Sequence, residues 1–156
     1  MMRVTRTAVV AAAPEAVWEA VSSVDRLPEW LVFAESAETV EGTGAGRLHR
    51  IHGRWGSKRS EVDQRITAWE PARRMAWRHE SERLDGRPAP QFARETRFEV
   101  RLEREAEGTR VTLESVQEPA SALKGLVMRL FGGRELGQAY ERSLRQLDAV
   151  VSAPRV

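Results

Sequence analysis

The run Phe92-Ala93-Arg94-Glu95-Thr96-Arg97-Phe98-Glu99-Val100-Arg101-Leu102-Glu103 alternates with a period of two. In a strand that period puts Phe92, Arg94, Thr96, Phe98, Val100 and Leu102 on one face and Glu95, Arg97, Glu99, Arg101 and Glu103 on the other. A strand that is dry on one side and charged on the other belongs to an antiparallel sheet covered on one face only. Working outward, the next run, Thr109 to Gln117, continues the inner face with Val111, Leu113, Ser115 and Gln117, and the preceding run, Arg73 to Glu82, supplies Met75, Trp77 and His79. Three earlier runs, Ala34 to Val40, Arg47 to Trp55 and Lys58 to Trp69, have the same character. The breaks at Gly42–Gly46, Trp55-Gly56-Ser57, Glu70-Pro71-Ala72 and Glu105–Gly108 are short enough for hairpins. Leu84 to Gln91, with Asp85-Gly86 and two prolines, is the one connection expected to vary in conformation.

The two ends of the chain read differently. Arg3 to Ala11 is a Val- and Thr-rich strand, and Pro14 then opens a short amphipathic helix to Val21, with a second helical turn over Asp25 to Trp30. From Ser121 the period is helical: Leu123, Leu126, Val127, Leu130 and Phe131 form one stripe, Gly132-Gly133 interrupts it, and Leu136, Tyr140, Leu144, Leu147 and Val151 form a second. Only this terminal helix is large enough to cover the sheet. The pattern predicts an α+β helix-grip fold: a curved antiparallel sheet of about seven strands around a long C-terminal helix, with two short helices closing one end. Residues 1–156 are expected to form one domain, with its core over about 3–151.

Composition narrows the function. The chain of 156 residues is 41% hydrophobic and 31% charged, a globular balance. All but two of its 25 basic residues are arginine, the lysines being Lys58 and Lys124, and the 23 acidic residues are interleaved with them for a net charge of +2. A nucleic-acid partner needs a concentrated basic face and is not expected here, despite a pI near 9.6. The absence of cysteine excludes disulfides, thiolate metal ligands and cysteine nucleophiles. No stretch approaches the roughly 20 apolar residues of a membrane span, and the N-terminus lacks a signal-peptide core, so a cytoplasmic protein is expected.

Several short stretches now combine. Val9-Val10-Ala11-Ala12-Ala13-Pro14-Glu15-Ala16-Val17-Trp18, followed by Val24-Asp25-Arg26-Leu27-Pro28-Glu29-Trp30, resembles the opening of the START-like superfamily, also called SRPBCC or the polyketide cyclase/dehydrase and lipid transport family. Gly44 and Gly46 before a strand, Glu70–Trp77 and Gly108-Thr109-Arg110-Val111 support the resemblance, which runs over nearly the whole chain. It implies a cavity between sheet and long helix that holds lipids, polyketides or other apolar molecules. It carries over no catalytic residue, because one frame serves binding, transport and cyclisation.

Each candidate site residue has a functional and a plain reading. Trp77 shares the inner face of a middle strand and is a pocket candidate, whereas Trp18 and Trp30 match the structural signature and Trp55 flanks a turn. His79 follows Trp77 on the same face, as a proton carrier or a hydrogen-bonded rim residue. Arg94, on the inward register, is either a clamp for a ligand oxygen or a rim residue turned outward by a bulge, since a lone buried charge is costly. Thr96, Ser115, Gln117 and Tyr140 offer neutral hydrogen bonds, and Phe98, Leu113, Leu126 and Leu130 offer apolar wall. His49 and His52 are three apart on a strand, face opposite ways and do not chelate one metal. No metal, nucleotide or other cofactor is expected.

These readings predict a cavity bordered by Trp77, Phe98, Leu113, Leu126, Leu130 and Tyr140, with Ser121 to Phe131 either a movable wall hinged at Gly132-Gly133, facing the Leu84 to Gln91 loop as the other mobile border, or a segment set by a fixed structural kink there. Three functions remain open: an apolar-ligand binder, an aromatase/cyclase working through converging Arg94, His79 and Tyr140, and a carrier that visits membranes through the Leu123–Phe131 stripe beside Lys124, Arg129 and Arg134. The expected partner is an apolar small molecule, with membrane contact at most transient and the protein a monomer or homodimer.

Overall fold

The computed structural model describes residues 1–152, apart from the side chain of Phe131; that side chain, expected in the first helical stripe, and the last four residues of the expected domain lie outside the described part. The elements are β1 (Met2–Val10), α1 (Pro14–Ser22), a 3-10 turn (Val24–Arg26), α2 (Leu27–Trp30), β2 (Ser36–Glu41), β3 (Leu48–Trp55), β4 (Lys58–Glu70), β5 (Arg74–Leu84), β6 (Arg87–Pro88), β7 (Ala93–Glu105), β8 (Gly108–Pro119), α3 (Ala122–Phe131) and α4 (Gly133–Ser152). The curved sheet is antiparallel and unclosed, in the order β1-β8-β7-β5-β4-β3-β2, with the two-residue β6 paired to β5 inside the expected variable loop.

The period-two reading holds where packing enforces it. Phe98, Val100 and Leu102 of β7, Val111, Leu113 and Ser115 of β8, and Met75 and Trp77 of β5 are all buried. The outer face carries cross-strand ion pairs, among them Arg74 with Glu99 at 2.6 Å, Arg65 with Glu80 at 2.9 Å, and Arg50 with Asp63 at 2.7 Å. Pairs that keep contact with solvent, as Arg74–Glu99 does, contribute at most about 1 kcal/mol each. Their consequence is that much of the sheet's arginine charge is matched by carboxylates on neighbouring strands.

Gly108, where β8 begins, shows why that turn demands glycine. Its φ is +142°, and a Cβ there would lie 2.0 Å from the Val10 carbonyl oxygen. The neighbouring Thr109 hydroxyl donates to the Ala12 carbonyl at 2.7 Å, tying the end of β1 to β8. Proline at the first turn of α1 costs no helical hydrogen bond. Trp30, fully buried in α2, donates from Nε1 to the Ala20 carbonyl at 3.2 Å and fixes the two short helices together.

The two helical stripes meet different fates. In α4 the stripe packs as expected, with Tyr140, Leu144 and Leu147 buried in the same cluster as Trp77, Phe98 and Leu113. The chain breaks at Gly132, which closes α3 by donating to Met128 O at 2.9 Å while α4 starts one residue later. α3 is a separate helix, capped by the Ser121 hydroxyl accepting from Lys124 N–H. Among its described side chains Met128 alone is fully buried and Val127 is half-buried, and Leu123, Leu126 and Leu130 are 72%, 53% and 66% exposed.

Candidate functional site

Pairing sets two rows of side chains across the concave face. One runs Ile66–Trp77–Phe98–Ser115 over β4, β5, β7 and β8, and the other runs His49–Gln64–His79 over β3, β4 and β5. In the first row Trp77 stacks on Phe98 with ring centres 4.6 Å apart, and Phe98 meets Tyr140 of α4 edge-on at 5.5 Å. His49 closes the other side of Trp77 at 5.3 Å. Burial pushes the Tyr140 phenol up to about 12, so it remains protonated. The nearby buried Ser115 hydroxyl acts weakly against that shift.

The second row extends at both ends into a five-residue hydrogen-bonded chain. Arg47 Nη2 lies 3.4 Å from His49 Nδ1, His49 Nε2 is 2.8 Å from Gln64 Oε1, Gln64 Nε2 is 3.2 Å from His79 Nε2, and His79 Nδ1 is 2.6 Å from Glu82 Oε1. A guanidinium only donates, so His49 Nδ1 accepts and its proton sits on Nε2. The Gln64 carbonyl takes that proton's hydrogen bond, its amide donates to His79 Nε2, and His79 Nδ1–H donates to Glu82. Every contact is satisfied with His49 neutral. Burial, first, lowers His49 to about 4, and the Arg47 charge acts the same way against the Gln64 hydrogen bond. His79 holds the Glu82 carboxyl below its ordinary range.

Arg47 anchors the buried end. Its Nη1 donates to Ser22 O at 2.7 Å and its guanidinium lies 5.2 Å from the centre of the Trp69 ring, with Nε buried and unpartnered. Burial lowers its pKa. The sequence reading passes over Arg47 and treats His49 only as a rejected metal ligand. The signal is the shared parity of 47, 49 and 51 on one strand, which puts Arg47 and His49 inside with Ile51.

Two cavities flank this packed interior. The first, about 350 Å³, lies between α3, the start of β1 and the end of β8, lined by Met1, Met2, Pro119, Ala122, Gly125, Leu126, Met128 and Arg129. The second, about 280 Å³, lies over Arg47 and Trp69 beside the Gly42-Thr43-Gly44 turn, with Asp25 and Thr39 on its rim. Neither is the cavity expected between Trp77, Phe98, Leu113, Leu126, Leu130 and Tyr140. Trp77, Phe98, Leu113 and Tyr140 do converge, within one packed core cluster rather than around either of these two cavities. Leu126 and Leu130 are corrected to exposed positions on α3, Leu126 bordering the first cavity. Arg94 is also corrected: the β7–β8 register skips it between Ala93 and Glu95, and it is exposed rather than inward. Phe92, assigned to the same inner face, is 38% exposed just before that irregularity. Thr96 and Gln117 pair across the strands, both half-buried, and His79 sits at the rim. Arg94, His79 and Tyr140 share neither cavity.

The sheet gripping a C-terminal helix, together with the sequence match, defines the class. The chain belongs to the family described as polyketide cyclase / dehydrase and lipid transport, which it matches over residues 1–152. No curated protein matches it. Among solved structures it is similar to TTHA0849 from Thermus thermophilus, at 20% identity and TM-score 0.76 over 97% of each chain. It is also similar to Ara h 8.0201, at 16% identity and TM-score 0.75 over 98% of this chain and 99% of that one. DynU16, from the dynemicin biosynthetic locus, matches at 18% identity and TM-score 0.67 over 97% of this chain and 47% of its own. At these identities the likeness is one of fold.

Proposed function

We propose that the protein binds an apolar or amphipathic small molecule, a lipid, polyketide or similar compound, in the cleft beneath α3. The observation that carries this reading is the cleft itself. Its volume of about 350 Å³ falls within the range of small-molecule sites, and seven of its eight lining residues have apolar side chains or are glycine. Arg129 at its border suits an acidic or carbonyl end of an amphipathic ligand. Membership of a lipid transport and cyclase family, and likeness to a protein from a biosynthetic locus, support the same class.

The arrangement favours binding over acid–base catalysis. The buried polar row is interrupted by the Gln64 amide, which hands hydrogen bonds along but does not readily relay a proton. The polar groups expected to activate a carbonyl do not meet at one void.

The test is a titration with the lipophilic dye anilinonaphthalene sulfonate. Ala122→Trp, which places an indole from the exposed start of α3 into the cleft, is expected to weaken dye binding at least about tenfold with an unchanged urea midpoint. Unaltered dye affinity would remove the cleft as the site. Native mass spectrometry of protein purified from its own host then identifies a retained molecule.

Binding also predicts gating. Gly132 separates α3 from α4, and a helix with one fully buried side chain among its described residues opens at low cost. Bound dye is expected to slow amide exchange across Ser121 to Phe131 while leaving the core of α4 unchanged. Equal exchange with and without dye would make Gly132 a fixed kink.

A further inference from the structure

α3 is inside out for a helix on a protein surface. Met128 and Gly125 face the fold, whereas Leu123, Leu126 and Leu130, at i, i+3 and i+7, form a stripe on the opposite side and stand 53–72% exposed. Of the nine exposed large apolar residues among the described ones, these three and Met1, which shares the cleft with Leu126, come together at one end of the molecule. At 100° per residue, Lys124 and Arg129 project from the two flanks of the leucine stripe, and α3 has no acidic residue.

The charge is unpaired as well as one-signed. Many arginines of the sheet meet carboxylates, and among the described residues Lys124, Arg129 and Arg134 have no ion-pair partner; Lys124 donates to the Gln91 carbonyl at 2.9 Å. Glu135 is the acidic neighbour of Arg134 in sequence, at the start of α4. A leucine ridge flanked on either side by a long cationic side chain, Lys124 and Arg129, matches a bilayer surface: leucines enter the acyl boundary while the cations reach anionic headgroups.

We propose that α3 docks the protein on an anionic membrane surface and presents the mouth of the cleft to it. Leu126 and Arg129 belong to both the docking face and the cleft wall, so a molecule leaving the bilayer beside α3 meets the cleft directly. As a route for ligand this rests on the cleft reading; as a docking surface it stands alone.

Co-sedimentation with phosphatidylcholine vesicles, with and without about one-third phosphatidylserine, tests it at low and high salt. Binding is expected to the anionic vesicles, at least about tenfold above neutral ones and weakened by salt. Leu123→Glu with Leu130→Glu, both outside the cleft wall, should lower it at least about tenfold, and Lys124→Gln about fivefold. Both variants should keep the wild-type urea midpoint and dye affinity in solution, which separates failure of docking from failure of the cleft. No sedimentation with anionic vesicles, or sedimentation indifferent to the leucine variant, would overturn the proposal. So would a dimer in sedimentation equilibrium that the leucine variant dissociates, because the ridge would then belong to a second copy.

Discussion

Trp77→Ala is expected to destabilise the protein by about 3–5 kcal/mol, the range for removing a large buried aromatic side chain. Trp77 is 2% exposed, stacks on Phe98, and meets His49 edge-on at 5.3 Å. Truncation removes both ring contacts and leaves a void that the flanking strands, fixed by ladders on both sides, close only in part. Urea unfolding checks this, and a loss under about 1 kcal/mol would show that the ring row does not hold sheet and helix together. The void would lie where the inward pattern placed an internal pocket. Added indole is therefore expected to recover part of the lost stability, as apolar ligands do in dry engineered cavities.

The second large effect is on acid stability and resides in His49. The unfolded chain protonates this side chain below about 6.5, whereas the folded protein, which buries it against Arg47, protonates it only near 4. Between those values unfolding takes up a proton, so stability falls as pH drops; the contribution is complete above about 6.5 and gone below about 4. From pH 7 to pH 5 the wild type is expected to lose about 2 kcal/mol more than His49→Gln in urea unfolding. The carboxylates of Asp63, Glu61, Glu80 and Glu82 are lowered by their Arg or His partners, so their losses begin at lower pH. Identical slopes for wild type and variant over this window would show that His49 is not held neutral.

The sequence by itself determined what depends on local periodicity. The period of two in residues 92–103 and the helical stripe of Leu136, Tyr140, Leu144, Leu147 and Val151 follow from how side chains leave a strand or a helix, so the elements, their order and most facing assignments were legible. The family signature around Pro14, Trp18 and Trp30, the opposed faces of His49 and His52, and the helix break at Gly132 were legible for the same reason.

Tertiary structure alone decided three matters. The stripes of α3 and α4 look alike in sequence, but the concave face accommodates one helix; α4 takes it, and the leucines of α3 are left outside. Parity carried Arg94 inward, yet the ladder shifts where β7 meets Pro119, a residue with no N–H to donate, and one skipped residue turns the side chain out. Trp77, Phe98 and Tyr140 were each read correctly as inward, but whether inward residues enclose a cavity or fill it depends on how rings from β5, β7 and α4 interlock in space. Periodicity states which side of an element is dry. The volume left between dry sides is a property of their packing, which periodicity does not carry.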